Sequence, residues 1–182
     1  MDWLRVKRVT QPVTSIVSLG QAKAHLRVSH DTDDTYITAL IDTATAFIEG
    51  PNGAGIAVLP AQWRITMDHL PRAFDIDLCP VQSLDSITVD GVTISSDLYT
   101  ADLDSVPARV VGSYIPQVRT DVGKVKVTFT AGYNDVPADL MHCALLLIGH
   151  LYENREAASA GVAVTEVPFA VEAILSRYRA YG

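Results

Sequence analysis

The chain has 182 residues, 48 % of them hydrophobic and 19 % charged, which suits one globular domain with a real core. Its formal net charge of -7 argues against a general binder of nucleic acid or anionic membrane, whose surface must attract phosphate. The two cysteines, Cys79 and Cys143, lack CxxC or Cys/His metal spacing and read as buried free thiols of a reducing compartment.

The opening, MDWLRVKRVTQPVT, carries no apolar signal core, and no apolar run reaches the roughly 20 residues of a membrane span. Synthesis in a cytoplasm, with no membrane partner, is therefore expected. The arm holding Trp3, Arg5, Lys7 and Arg8 shows neither helical nor strand periodicity and reads as a loose terminus. Its three charges are too few for a DNA-binding claim. Ser18 with Gln21 spells a capping box for a short helix through about Arg27. In SHDTDDTY, Asp31 or Thr32 is the next N-cap, and Asp33 and Asp34 suit the helix dipole. Tyr36, Ile37, Leu40, Ile41, Ala44, Phe47 and Ile48 then recur at three and four residues, an amphipathic helix to about Glu49 that GPNGAG ends.

From Trp63 the period changes to two. Strands are predicted around Trp63–Met67, Phe74–Leu78, Leu84–Val89, Leu98–Ala101 and Val125–Thr130, with VDGVT as an Asp-Gly hairpin turn. The stretch near Pro107–Gly123 reads as a connection, and Asp75 and Asp77 as alternate residues on a solvent face. A long helix follows from about Asp135 or Pro137, apolar nearly all round between Cys143 and Ile148, so Leu145 and Ile148 are both expected in the core. Pro168 opens a last helix through Phe169, Val171, Ile174, Leu175 and Tyr178. The order predicts an α+β chain: mainly an α-helical bundle of about four helices, with an antiparallel β-sheet region inserted between helices two and three. Residues 1–182 read as a single domain, with helical parts about 18–50 and 136–181 and the β insertion about 60–131.

The polar stretch HLYENREAASAG is the one candidate for chemistry. His150 and Glu153 lie three apart on a helix, and with Glu156 they could serve a small metal-dependent hydrolase. His142, eight residues before His150, sits roughly 80° away around the helix, and no second carboxylate–histidine pair completes a di-metal site. Gly-x-Ser-x-Gly and phosphate-loop spacings are absent, and adjacent His142 and Cys143 face different ways. No catalytic residue, cofactor or metal ligand is predicted. Tyr152, Glu153, Arg155 and Glu156 instead read as a knot that ties helices together through charge-assisted hydrogen bonds. The closing tip holds Arg177, Tyr178, Arg179 and Tyr181, residue types enriched at interface centres.

Several pieces resemble, in order and across nearly the whole chain, the phage head–tail connector (head-completion adaptor) family, including the adaptors of prophages and gene transfer agents. PVTSIVSLGQAKAHLRVSHDTDDTYITALIDTATAFIE is similar to its opening helices, LPAQWRITMDHLP to its first strand and PVQSLDSITVDG to its hairpin. VKVTFTAGYNDVPADLMHCALLLIGHLYENREA resembles its strand-to-helix passage, and EVPFAVEAILSRYR its closing helix. GPNGAGIAV departs from the aromatic and Thr-Gly-Arg turn common there. The resemblance implies a non-enzymatic virion protein in the neck, forming a ring, commonly of twelve subunits, beneath the portal protein. Such a ring extends the DNA channel without sequence-specific binding and carries the next tail-side neck or stopper protein. It makes Tyr152, Glu153, Arg155 and Glu156, with Arg177, Tyr178, Arg179 and Tyr181, candidate subunit or portal contacts.

Overall fold

The computed structural model describes residues 5–49, 53–112, 122–155 and 169–179. By internal contacts the chain divides into a sheet unit, Met1–Val13 with Leu59–Asn134, and a helical unit, Thr14–Val58 with Asp135–Gly182.

In the helical unit, helix α1 is Leu19–Leu26, opened by the expected capping box. The Ser18 hydroxyl accepts from the Gln21 amide at 3.2 Å, and the Gln21 side-chain oxygen accepts from the Ser18 amide at 2.8 Å. Arg27, at φ 58°, ends it in the left-handed region. Helix α2, Asp34–Glu49, buries Ile37, Leu40, Ile41, Ala44 and Ile48, the stripe that the three-four spacing predicts. Its last residue, Glu49, is also buried, and its carboxylate accepts from the Val58 amide at 3.0 Å, which fastens the returning chain. Helix α3, Ala138–Glu153, packs against α1, α2 and helix α4, Phe169–Leu175. It buries Leu140, Cys143, Ala144, Leu147 and Ile148. Leu145 and Leu146 are only half-buried, so the expectation that both Leu145 and Ile148 lie in the core holds for Ile148 alone. An all-apolar run does not say which arc of the helix receives partners. In α4, Val171 and Leu175 are buried, whereas Phe169 is 88 % exposed. No described helix is long and apolar enough to cross a membrane.

Among the described residues the sheet unit holds eight strands: β1 (Val6–Arg8), β2 (Ala61–Met67), β3 (Ala73–Ile76), β4 (Val81–Val89), β5 (Val92–Thr93), β6 (Tyr99–Asp102), β7 (Ala108–Gly112) and β8 (Val125–Ala131). They form a five-stranded sheet in the order β1-β2-β8-β4-β5 and a three-stranded sheet, β3-β7-β6, every pairing antiparallel. Register rows Trp63–Phe129–Leu84 and Ile65–Val127–Ile87 line one face of the larger sheet. Phe129, Val127 and Ile87 there have no exposed surface. The β4–β5 hairpin turns at Asp90 (φ 51°) and Gly91 (φ 83°), the paired left-handed residues that VDGVT predicts. Gly132, at φ 132°, passes so close to Leu59 and Pro60 that any Cβ would overlap their backbone.

Two further expectations are corrected. Among the described residues, four helices and eight strands in two sheets make helix and strand content about equal, so the chain is not mainly a helical bundle with an inserted sheet. The weighting failed because short strands draw their stability from distant partners, which local periodicity does not register. The arm is not loose either. Residues 6–8 add β1 to β2, Arg8 stacks over the Trp63 ring at 4.6 Å, and Arg5 pairs with Asp68 at 2.9 Å. Trp3 lies outside the described residues.

Candidate functional site

The polar end of α3 meets the start of α2 within the helical unit. Asp33 stands one residue before α2, its carbonyl accepting from the Ile37 amide at 2.8 Å. Its carboxylate oxygen Oδ2 accepts from the Tyr152 hydroxyl at 2.5 Å and from Nη2 of Arg155 at 2.8 Å. The Arg155 guanidinium also lies 4.6 Å from the Tyr36 ring centre and 4.4 Å from that of Tyr152, held between two aromatic faces. The rings stand 6.0 Å apart, and the Tyr36 hydroxyl donates to the Leu151 carbonyl at 3.4 Å. Nearby, Lys23 of α1 reaches Asp31 at 2.6 Å and Asp34 at 2.7 Å.

The charges answer one another. The hydrogen bond from Tyr152, and then that from Arg155, hold the Asp33 carboxyl below the usual carboxylate range. The same bond to Asp33 pushes the Tyr152 phenol up. Asp33, read from sequence as helix-start electrostatics alone, is the anionic centre of the knot. A signal for it existed: Asp33 lies three residues before Tyr36 at the start of α2, and Arg155 three after Tyr152 just past the end of α3, the separation at which side chains meet on a helix.

Around the start of α3 sits a second cluster. The Asp139 carboxylate accepts from the Tyr178 hydroxyl at 2.5 Å and pairs with Arg177 at 3.3 Å. Arg179 donates through Nε to the Gly53 carbonyl at 2.8 Å and meets Glu172 at 2.9 Å. Of the sequence-predicted contact residues, Tyr152 and Arg155 thus join one knot, and Arg177, Tyr178 and Arg179 the other. Glu153 is exposed, and Glu156 and Tyr181 lie outside the described residues.

Neither cysteine is an activated nucleophile. Burial, and then Asp139 and Glu172, push the Cys143 thiol up to about 11, which leaves almost no thiolate at neutral pH. Burial raises Cys79 too, and both cysteines are free. Among the described residues no three His, Cys, Asp or Glu side chains come together as a metal-binding group, so His150 and Glu153 gain no third ligand there. What both arrangements do is fix helix ends with satisfied charge.

The head completion protein family model matches residues 15–181 of this chain. Among solved structures, it is similar to a chain from the neck of an empty gene transfer agent (GTA) particle computed with C6 symmetry. That match has a TM-score of 0.78 and 21 % identity, over 97 % of this chain and 96 % of the other. A chain from the virion of a native GTA particle matches with a TM-score of 0.76 and 22 % identity, and one from the neck of a native GTA particle computed with C12 symmetry with 0.75 and 20 %. Both cover 97 % of this chain and 96 % of theirs. No curated protein matches it.

Proposed function

The chain belongs to the head completion protein family, and on that premise we propose that it is a structural virion protein acting in the neck between capsid and tail. Subunits close a ring beneath the portal protein, lengthen the DNA channel and present a platform to a tail-side neck or stopper protein. The observation that carries this reading is the likeness of fold, over 97 % of the chain, to a neck chain in a particle computed with C12 symmetry. Two physical features support it. A net charge of -7 suits a channel wall along which DNA slides without adhering. Charge-satisfied knots at the ends of α2 and α3 give the stiffness that a structural adaptor needs.

The role is assembly rather than turnover. The candidate contact residues divide accordingly: Tyr152, Arg155, Arg177, Tyr178 and Arg179 set the shape of the subunit edge, while Glu153, Glu156 and Tyr181 complete its contact with the next subunit or the portal. The test is removal of the gene from a producing cell, followed by electron microscopy of the particles. Filled or leaking capsids without tails, restored by supplying the chain, are expected. Tailed, infectious or transfer-competent particles assembled in its absence would refute the role.

A further inference from the structure

The second face of the larger sheet is partly exposed, with Thr128 buried at its centre. It carries more basic than acidic side chains on an acidic protein, Asp85 standing one row beyond Arg64 where Gln62 and Thr130 donate to it. Cross-strand register sets Lys7 of β1 directly opposite Arg64 of β2, on the face away from Trp63 and Phe129. Arg64 pairs with Thr128 of β8, and Lys126 lies two residues along that strand, diagonal to Arg64. Such neighbours stand about 5–8 Å apart, and like charges placed opposite one another weaken a sheet. Lys7 and Lys126 are exposed and Arg64 half-buried. Among the described residues no hydrogen bond or ion pair answers any of the three, and Nε of Arg64 is buried without an acceptor. The other cations at that end are neutralised, Arg5 by Asp68 and Lys124 by Asp90. Thr66, Thr88 and Ser86 fill the rows between.

The smaller sheet carries the complement. Its outward face sets Asp75 of β3 and Asp102 of β6 on either side of Arg109 of β7, with Asp104 just beyond, all four exposed. Two carboxylates flank one guanidinium, so the face stays acidic. A closed ring of identical subunits needs two unlike surfaces on each chain, because each contact joins one patch to a different patch of the next copy. We propose that the Lys7–Arg64–Lys126 face docks the Asp75–Asp104 face of a second copy of this chain, as the head-to-tail contact of the ring. The inference rests on the ring reading above.

Charge exchange tests it. Lys7→Glu with Lys126→Glu reverses the basic face, and Asp75→Lys with Asp104→Lys the acidic one; Asp102 is left alone because its side chain caps the Asp104 and Ser105 amides. Lys7→Glu faces Arg64 and so forms an opposite-charge pair, and its melting temperature should equal or exceed that of the wild type. Neck occupancy is read by quantitative mass spectrometry of portal-bearing particles. Each double variant alone should fall at least tenfold, and the chain carrying all four substitutions should recover most of the loss. Normal occupancy of either double variant, or no recovery in the fourfold variant, overturns the contact while leaving the ring reading intact. Normal occupancy with lost DNA retention in the lysine variant assigns that face to DNA and equally overturns it. A wild-type chain that never enters the neck removes the ring reading and the contact with it.

Discussion

Ile148 and Leu145 lie three residues apart on α3 and lose the same three carbon atoms on truncation to Ala, but only Ile148 is fully buried. At ~0.8 kcal/mol per buried methylene, Ile148→Ala forfeits about 2.4 kcal/mol of transfer free energy. The cavity left between α3 and its packed neighbours raises the cost to about 3–4 kcal/mol. At half-burial Leu145→Ala forfeits roughly half the transfer term, and water fills the space, so about 1 kcal/mol is expected. Urea titration followed by circular dichroism measures both. The Ile148→Ala midpoint should fall with an unchanged slope, as when stability alone has altered. In heating, the corresponding shift is roughly 6–15 °C for a chain of this size. An Ile148→Ala cost below about 0.5 kcal/mol, or equal costs at the two sites, would refute the placement of the core on the Leu147–Ile148 arc.

Acid should loosen the Asp33 knot. Because the folded carboxyl is held below the usual range, the unfolded chain takes up the proton more readily; the knot's contribution is full above about pH 4 and is lost as pH falls through the lowered folded value. Melting temperatures between pH 7 and pH 2.5 should therefore drop less in Asp33→Asn than in the wild type, and parallel curves would count against the knot. Tyr178→Phe removes a hydrogen bond to Asp139 and should cost about 1–2 kcal/mol in the same urea assay. Arg177→Ala, which breaks an exposed pair, should cost under about 1 kcal/mol; a reversed order would show that the tip is held differently. Gly132→Ala should destabilise by at least ~1–3 kcal/mol, since it adds left-handed strain to a backbone overlap, and an unchanged melting temperature would contradict that geometry.

What the sequence disclosed follows the range of the interactions involved. The Ser18–Gln21 box, the Asp90–Gly91 turn and the α2 stripe are set within a few residues, and each lies where its local pattern predicts. β1 is only Val-Lys-Arg, and its reason for being extended is a partner near residue 64. β7 alternates buried Ala108, Val110 and Gly112 with exposed Arg109 and Val111, and with a valine on the exposed side no two-residue alternation of polarity announces it. The Asp33 site was half legible: its acidic helix start was plain, but its donors lie 119 and 122 residues away. Family resemblance reached further than periodicity because it carries the order of many pieces at once.

The place of β8 has a consequence for the chain as it is made. β8 is the last of the described strands in sequence yet the central one of the larger sheet, pairing with β2 on one side and β4 on the other. Until residues 125–131 leave the ribosome, β2 and β4 have no shared neighbour and each shows an open backbone edge. At ordinary translation rates, the interval between the end of β2 and the arrival of β8 is on the order of 3–12 s. For those seconds Trp63, Ile65 and Ile87 sit on strands paired along one edge at most, the condition in which nascent chains associate wrongly or are held by chaperones. Cell-free synthesis stalled after residue 110 should yield a protease-sensitive, chaperone-bound chain, and release past residue 135 should close the sheet.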